Sequence, residues 1–354
     1  MVRVFPYLRR HFVLFLFFSV EGIRSPHRPH DSTLPEIITS WPGSSEKFIL
    51  RNSHLEEVAL FKKFDKAFFL EHQFPDNSIT LRNDPSCTVS GTHIKELLEK
   101  LLRELRECVT KRTNFEDFTV LKCRDFNFKL CCGLIVLKFK NYPFVIKLFI
   151  EIPSSFVRPF SKGFEPIFFF VMGGGINRYM SGFTRVKNLE AIRLHIKNDP
   201  YWSEHIDLPR KWFWEPKDNK WFLLEGNNIG CVSHQSILLP SVYGIMCDEI
   251  KSDGSLRLIN KANRRLGIRL SQFLGNRVDP HIDNFMIECE TRKIVLVDTE
   301  HFPTMVGLKE PLYFDGYFEW YRKLIHKFLK DCYCRTKRER KAIHLRPIPE
   351  IACC

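Results

Sequence analysis

An α+β fold is what this sequence predicts: an antiparallel sheet, then a shorter and mostly helical part, with a helical extension in front. Two observations carry that expectation. Residues 117–150 alternate with strand period in Phe118-Thr119-Val120-Leu121, Leu134–Phe139 and Phe144–Phe149, the last two joined by the turn Lys140-Asn141-Tyr142-Pro143. By contrast, Thr92–Arg112, Thr184–Lys197 and Leu256–Phe273 repeat apolar residues at helical spacing. At 354 residues and 44% hydrophobic, the chain is long enough to bury one two-lobed domain plus an extension. Its 33 phenylalanines against 17 glycines exclude a low-complexity polymer.

Taken in order, Arg3, Arg9 and Arg10 precede the apolar run Phe12–Val20, the pattern of a secretory signal ending near Gly22. That run is too short to span a bilayer comfortably, and no other segment reads as an integral membrane span. Export is therefore expected, with a cytoplasmic chain whose first strand is buried as the alternative. Residues 23–112 are read as linker and helical extension. Within them 23–54, rich in Pro, Ser and His, is a linker, Leu55–Phe74 a helix, Asp76–Gly91 a loop, and Thr92–Arg112 a helix capped by Thr92. The sheet lobe is expected over 113–250, with an insertion at 151–182, and the helical lobe over 251–354. Ser241–Ile250 reads as a strand running into a connection between the lobes, Ser252-Asp253-Gly254-Ser255 as a turn, and Tyr313–Leu329 as a late helix.

The chemistry concentrates in Asp279-Pro280-His281-Ile282-Asp283-Asn284, followed by the apolar run Ile294–Val297 and Asp298. A strand–turn–strand hairpin would bring Asp279, Asn284 and Asp298 to one edge. A carboxylate there can orient a hydroxyl and accept its proton, while Asn and a second Asp supply hard oxygen ligands for magnesium on a phosphate chain. Upstream, Lys147 lies inside the apolar strand Val145–Phe149, where an ammonium needs either an anion or a route to solvent. A net charge of +13 favours acidic partners such as ATP, phosphorylated metabolites or anionic surfaces. Apart from Arg335–Lys341 the basic residues are scattered, and no zinc-finger, RNP or helix–turn–helix signature accompanies them, so no specific nucleic-acid motif is present. The twelve cysteines have irregular spacing and are read as thiols.

This constellation resembles the protein-kinase-like superfamily, and its loop is closest to the aminoglycoside and choline phosphotransferase branch, whose pattern H-G-D-x-H-x-x-N is matched from Asp279 through His281 to Asn284. The resemblance implies a two-lobed kinase-like fold with Asp279 as catalytic base and Asn284 and Asp298 as magnesium ligands. It further implies that Lys147 contacts the nucleotide phosphates, steadied by a helix glutamate for which Glu190 is the candidate, and that Met246 lines the adenine side. Arg277-Val278 departs from His-Gly, and Thr299-Glu300 from Phe-Gly. The interval Lys122–Leu130 lacks the glycines of a phosphate loop; Gly173-Gly174-Gly175 is either a turn or a phosphate nest. The implied function is ATP- and Mg2+-dependent transfer of a phosphoryl group to a hydroxyl of an unidentified small molecule or protein. The alternative is a catalytically weak pseudokinase acting as an exported binding protein.

Overall fold

The computed structural model describes residues 36–51, 60–157, 175–227, 234–255, 260–278 and 284–301. All of them belong to one of the two units into which the chain divides, Leu34–Cys354; the other, Met1–Thr33, with its signal-like run, lies outside the described residues. The strands, in order, are β1 (Glu36–Ser40), β2 (Lys47–Arg51), β3 (Ser78–Leu81), β4 (Asp84–Ser90), β5 (Phe118–Asn127), β6 (Cys132–Phe139), β7 (Phe144–Ile150), β8 (Ile206–Asp207), β9 (Lys211–Trp214), β10 (Trp221–Asn227), β11 (Gln235–Pro240), β12 (Val242–Asp248), β13 (Ser252–Ser255), β14 (Phe285–Glu288) and β15 (Ile294–Leu296). The principal helices are Gly91–Glu107, Gly175–Lys197 and Lys261–Leu274. Among the described residues no helix is long and apolar enough to cross a membrane.

The expected antiparallel sheet is present, with five strands in the order β5-β6-β7-β12-β9. Its two faces follow from strand alternation. Leu137, Ile146 and Met246 are cross-strand neighbours on one face, where they meet Ile94, Leu98, Leu101 and Leu105 of the Gly91–Glu107 helix. Val136, Lys147 and Ile245 are neighbours on the other. That second face packs against Tyr179, Met180, Phe183 and Val186 of the Gly175–Lys197 helix. The same helix continues through Leu189, Ile192 and Ile196 onto Leu270, Leu274 and Val278, so it ties the sheet to the C-terminal elements.

Several boundaries differ from expectation for identifiable reasons. Part of the supposed linker forms β1 and β2, because β1 pairs with β10 far along the chain in the sheet β11-β10-β1-β2, a partnership no local pattern reveals. Asp76–Gly91 contains the hairpin β3–β4, whose second strand is mostly exposed and so lacks an apolar alternation. Ser90, not Thr92, caps the following helix by accepting the His93 amide, and that helix ends at Glu107. Residues 252–255 form β13 in the mixed sheet β13-β14-β15-β8. The late Tyr313–Leu329 helix and Gly173-Gly174 lie outside the described residues, and Gly175 begins a helix.

Close approach of the Gly175–Lys197 helix to the sheet depends on Gly182. Tyr243 is stacked between Phe149 (centroids 4.6 Å apart) and Phe183 (4.2 Å), and its hydroxyl donates to the Tyr179 carbonyl. A Cβ at Gly182 would stand 2.0 Å from the Tyr243 oxygen and 2.9 Å from Phe149 Cζ. Because Tyr243 is fully buried and held on both ring faces, Gly182→Ala is expected to destabilise the protein by about 1–3 kcal/mol in denaturant titration, as overpacked cores do.

Glu151 is buried just after β7, accepting a hydrogen bond from Ser155 Oγ at 2.6 Å, and burial pushes its carboxyl up from 4.5 to about 7. Between those values the folded chain holds a proton that the unfolded chain has released, so stability falls as pH rises through this window. Glu151→Gln keeps the acceptor and removes the charge. It should leave stability nearly unchanged at pH 4.5 and raise it by roughly 2–3 kcal/mol at pH 8, measured by denaturation at the two pH values.

Candidate active site

A cleft of about 720 Å³ opens beneath the five-stranded sheet, on the face that carries Lys147. Its roof is Leu121, Lys122, Leu134 and Val136, and its rear edge is the Cys247–Ile250 segment that leaves β12. Asn284, Met286, Val297 and Asp298 form the floor, from the hairpin β14–β15 and its flanks. Leu121, Leu134 and Val136 above and Met286 and Val297 below give apolar walls. With Lys147, Arg185 and Asp298 at one end and the Lys138–Glu249 pair and Asp248 at the rear edge, the slot suits a flat apolar body bearing an anionic tail.

Asp298 is the centre of the charged end. Lys147 Nζ donates to its Oδ2 at 2.7 Å and Arg185 Nε to its Oδ1 at 3.0 Å. The Glu300 amide also reaches Oδ1, at 3.2 Å. Burial by itself would raise the Asp298 carboxyl; Arg185, Lys147 and Lys211 outweigh it and hold the group well below the usual carboxylate range. Arg185 in turn donates through Nη2 to Glu300 Oε2 at 2.5 Å, and Ser181 Oγ donates to Oε1 of the same carboxylate. Asp298 and Glu300 hold the Arg185 guanidinium firmly protonated against the cost of its burial. Its Nη1 is enclosed and has no hydrogen-bond partner among the described residues, while its Cζ lies 5.7 Å from the centre of the Phe149 ring, a cation–π contact that offsets part of the loss.

A second buried cation fixes the backbone that carries Asp298. Lys211, at the start of β9, donates to the Val297 carbonyl at 3.1 Å and to Thr299 Oγ1 at 2.6 Å; Thr299 Oγ1 then donates to the Arg185 carbonyl at 2.6 Å. Burial pushes the Lys211 ammonium down to about 8. Asn188 adds Nδ2 bonds to the carbonyls of Arg277, at 2.8 Å, and Thr299, at 2.9 Å, so the helix that carries Arg185 also grips both sides of the Asn284–Asp298 hairpin.

Of the residues singled out in the sequence, Lys147, Asn284 and Asp298 meet in this one cleft. Asp279 and His281 lie outside the described residues. Glu190 does not partner Lys147: it is exposed and pairs with Arg193 on the same helix, because it faces away from the buried stripe of Leu189, Ile192 and Ile196. The helix residue that reaches the lysine–aspartate pair is Arg185, four residues before Leu189 and on the same stripe. Met246 is likewise not a cleft residue. It is buried on the opposite face of the sheet, and its neighbour Cys247 lines the cleft, since side chains alternate along β12. In the segment that leaves β12, the Asp248 and Glu249 amides donate to the carbonyls of Arg210 at 3.3 Å and Pro143 at 2.8 Å. The roof hairpin β5–β6 has one glycine near its turn, Gly133 (φ +106°), and its Cβ position would lie 2.2 Å from the Asp125 carbonyl. That glycine closes the hairpin.

The donor set suits a magnesium ion that completes its shell with water and phosphate oxygens: Asn284 and Asp298 face one cleft with hard oxygens, although among the described residues no three His, Cys, Asp or Glu side chains gather as a metal site. Removing the carboxylate would leave Lys147, Arg185 and Lys211 facing one another. Asp298→Ala is therefore expected to cost about 3–5 kcal/mol at neutral pH, measured by chemical denaturation. Because the folded value of Asp298 is depressed, its contribution is present above ~4 and is lost as pH falls through the folded value, so the difference from the variant should shrink only in strong acid. Compared with known proteins, the chain matches no family model, no curated protein and no solved structure.

Proposed function

We propose that the cleft binds ATP with magnesium and that the protein is a kinase-like phosphotransferase acting on a hydroxyl of a small molecule or protein. The observation that carries this reading is the Lys147–Asp298 pair, a strand lysine from the five-stranded sheet meeting a carboxylate that follows the β14–β15 hairpin across a cleft of nucleotide size. The order of parts along the chain supports it as well: three meander strands, a long helix, two further strands of the same sheet, a connection, a basic helix, and then the sequence Asp279–Asn284.

In this reading the purine lies between the apolar roof, Leu134 and Val136, and Met286 below, against the Cys247–Ile250 edge. Lys147 turns from Asp298 to the α/β-phosphates when they arrive. Asn284 and Asp298 would hold magnesium, which would supply charge neutralisation on the transferring phosphoryl group. Asp279 orients the acceptor hydroxyl and takes its proton. Positioning and charge neutralisation supply most of the rate, as phosphoryl transfer requires.

A non-catalytic binding module is the second reading. It is favoured by one feature, that both oxygens of Asp298 are already engaged by Lys147 and Arg185, which leaves the carboxylate satisfied without metal. Thermal shift with ATP, with and without magnesium, separates the two. The enzyme reading expects a rise in melting temperature that requires magnesium, together with ATP turnover. Asp298→Asn, which keeps the shape and the oxygen acceptor, should lower turnover by at least about a hundredfold while retaining a cooperative melt. Turnover equal to wild type in that variant would contradict the assignment.

A further inference from the structure

We propose that Lys122 and Arg178 form a phosphate clamp, two side-chain cations that hold the terminal phosphates of a nucleoside triphosphate in a roof hairpin without glycine amides to do so. The inference rests on the nucleotide reading above and adds residues to it that the sequence pattern did not single out.

The first observation is where β5 breaks step with β6. Val120 pairs with Leu137, Lys122 with Val136 and Asp125 with Leu134, so β5 advances five residues while β6 advances three, with irregular register on each side of Lys122. Bulges of this kind re-aim a side chain, and here Lys122 lines the cleft from the roof. The second observation is helical spacing: Arg178, Ser181 and Arg185 stand at i, i+3 and i+7 on the Gly175–Lys197 helix, and all three line the same cleft. The third is charge. Five cations line the cleft (Lys122, Lys138, Lys147, Arg178, Arg185); Lys138 is held at the rear edge by Glu249, and the Asp248 there by Arg210. The other four stand with Asp298 and Glu300 of the lining and with Asp125 next to it, carboxylates held by Lys147 with Arg185, by Arg185, and by Arg178. Asp125 is 3.9 Å from Lys122, while its ion pair with Arg178 is in direct contact. Partial burial and then the neighbouring Arg178 push the Lys122 ammonium down, as crowded like charges do.

A multiply charged oxyanion along this row relieves the crowding, and a guanidinium beside an ammonium suits phosphate oxygens by fork and point charge together. The row runs from Lys147, at the floor pair with Asp298, up to Lys122 in the roof, so a phosphate chain lying along it meets cations at both levels.

The test uses the full chain with ATP, adenosine and inorganic tripolyphosphate as probes, each with magnesium, in calorimetric titration. Wild type should bind ATP far more tightly than adenosine. Lys122→Met and Arg178→Gln should each shrink that preference by roughly tenfold or more, as loss of a charged hydrogen bond does, with adenosine affinity unchanged and Arg178→Lys intermediate. Lys122 is substantially exposed, so Lys122→Met keeps the test usable if losing the Arg178–Asp125 pair impairs folding. An unchanged ATP preference in Lys122→Met overturns the clamp and leaves the nucleotide reading standing. If wild type ignores ATP but binds tripolyphosphate, and Lys122→Met does not, the clamp stands as a polyphosphate site and the nucleotide reading falls. Wild type that binds neither overturns both.

Discussion

The carboxylate of Asp298, held from one side by Lys147 and from the other by Arg185, is the interaction on which the rest of the cleft depends. It joins the sheet, the long helix and the segment after β15 through a single group. None of the three charges is stable alone in this setting, because a lone buried ion keeps neither its hydration nor a counter-charge. Together they form a chain that extends through Glu300 to Ser181 and, by way of Thr299, to Lys211. The geometry of the floor is therefore set by charge balance as much as by the three-residue strand β15, which would be a weak scaffold by itself.

Such a chain holds only if water is kept from its rear, and the aromatic core does that. Tyr243 between Phe149 and Phe183, with Gly182 allowing the helix to lie against them, closes the space behind Arg185. Two unit charges 4 Å apart attract by about 1 kcal/mol in bulk water and about 4 kcal/mol in a partly dry protein environment, so the phenylalanine-rich packing sets the strength of the ion pairs in front of it. The enclosed Nη1 of Arg185 is the cost of that dryness: among the described residues it meets no hydrogen-bond acceptor, and the stacking of the guanidinium on Phe149 offsets part of the loss.

How far the sequence could be read follows from the same physics. Lys147 stood out because a charge inside an apolar strand breaks alternation, and Asp298 because an apolar run ended in a carboxylate; both signals are local. Arg185 carries a quieter signal, an arginine in helical register with Leu189, Ile192 and Ile196, which the expectation of a helix carboxylate beside a strand lysine passes over in favour of Glu190. Met246 and Cys247 could not be distinguished, since every residue of β12 is buried and a central strand covered on both faces has no polar side to mark its parity. Lys211 opens the aromatic strand Lys211–Trp214 and looks like an ordinary flanking charge until Thr299 and Val297, more than eighty residues away, are seen to receive it. The pairing of β1 with β10 is of the same kind: register between strands distant in sequence is settled by the assembled sheet.

The saturation of Asp298 also constrains how any ligand can enter. A carboxylate whose two oxygens face an ammonium and a guanidinium accepts a divalent cation only if one of those partners is drawn away, because a third positive group at the same oxygens is repelled by the first two. An anion arriving beside Lys147 supplies that draw. Lys147 is the partner free to move, as a point charge on a flexible stem, whereas Arg185 is anchored at Glu300 by a second ion pair. In the proposed nucleotide complex, phosphate and magnesium would in that sense be coupled by a single exchange at Lys147.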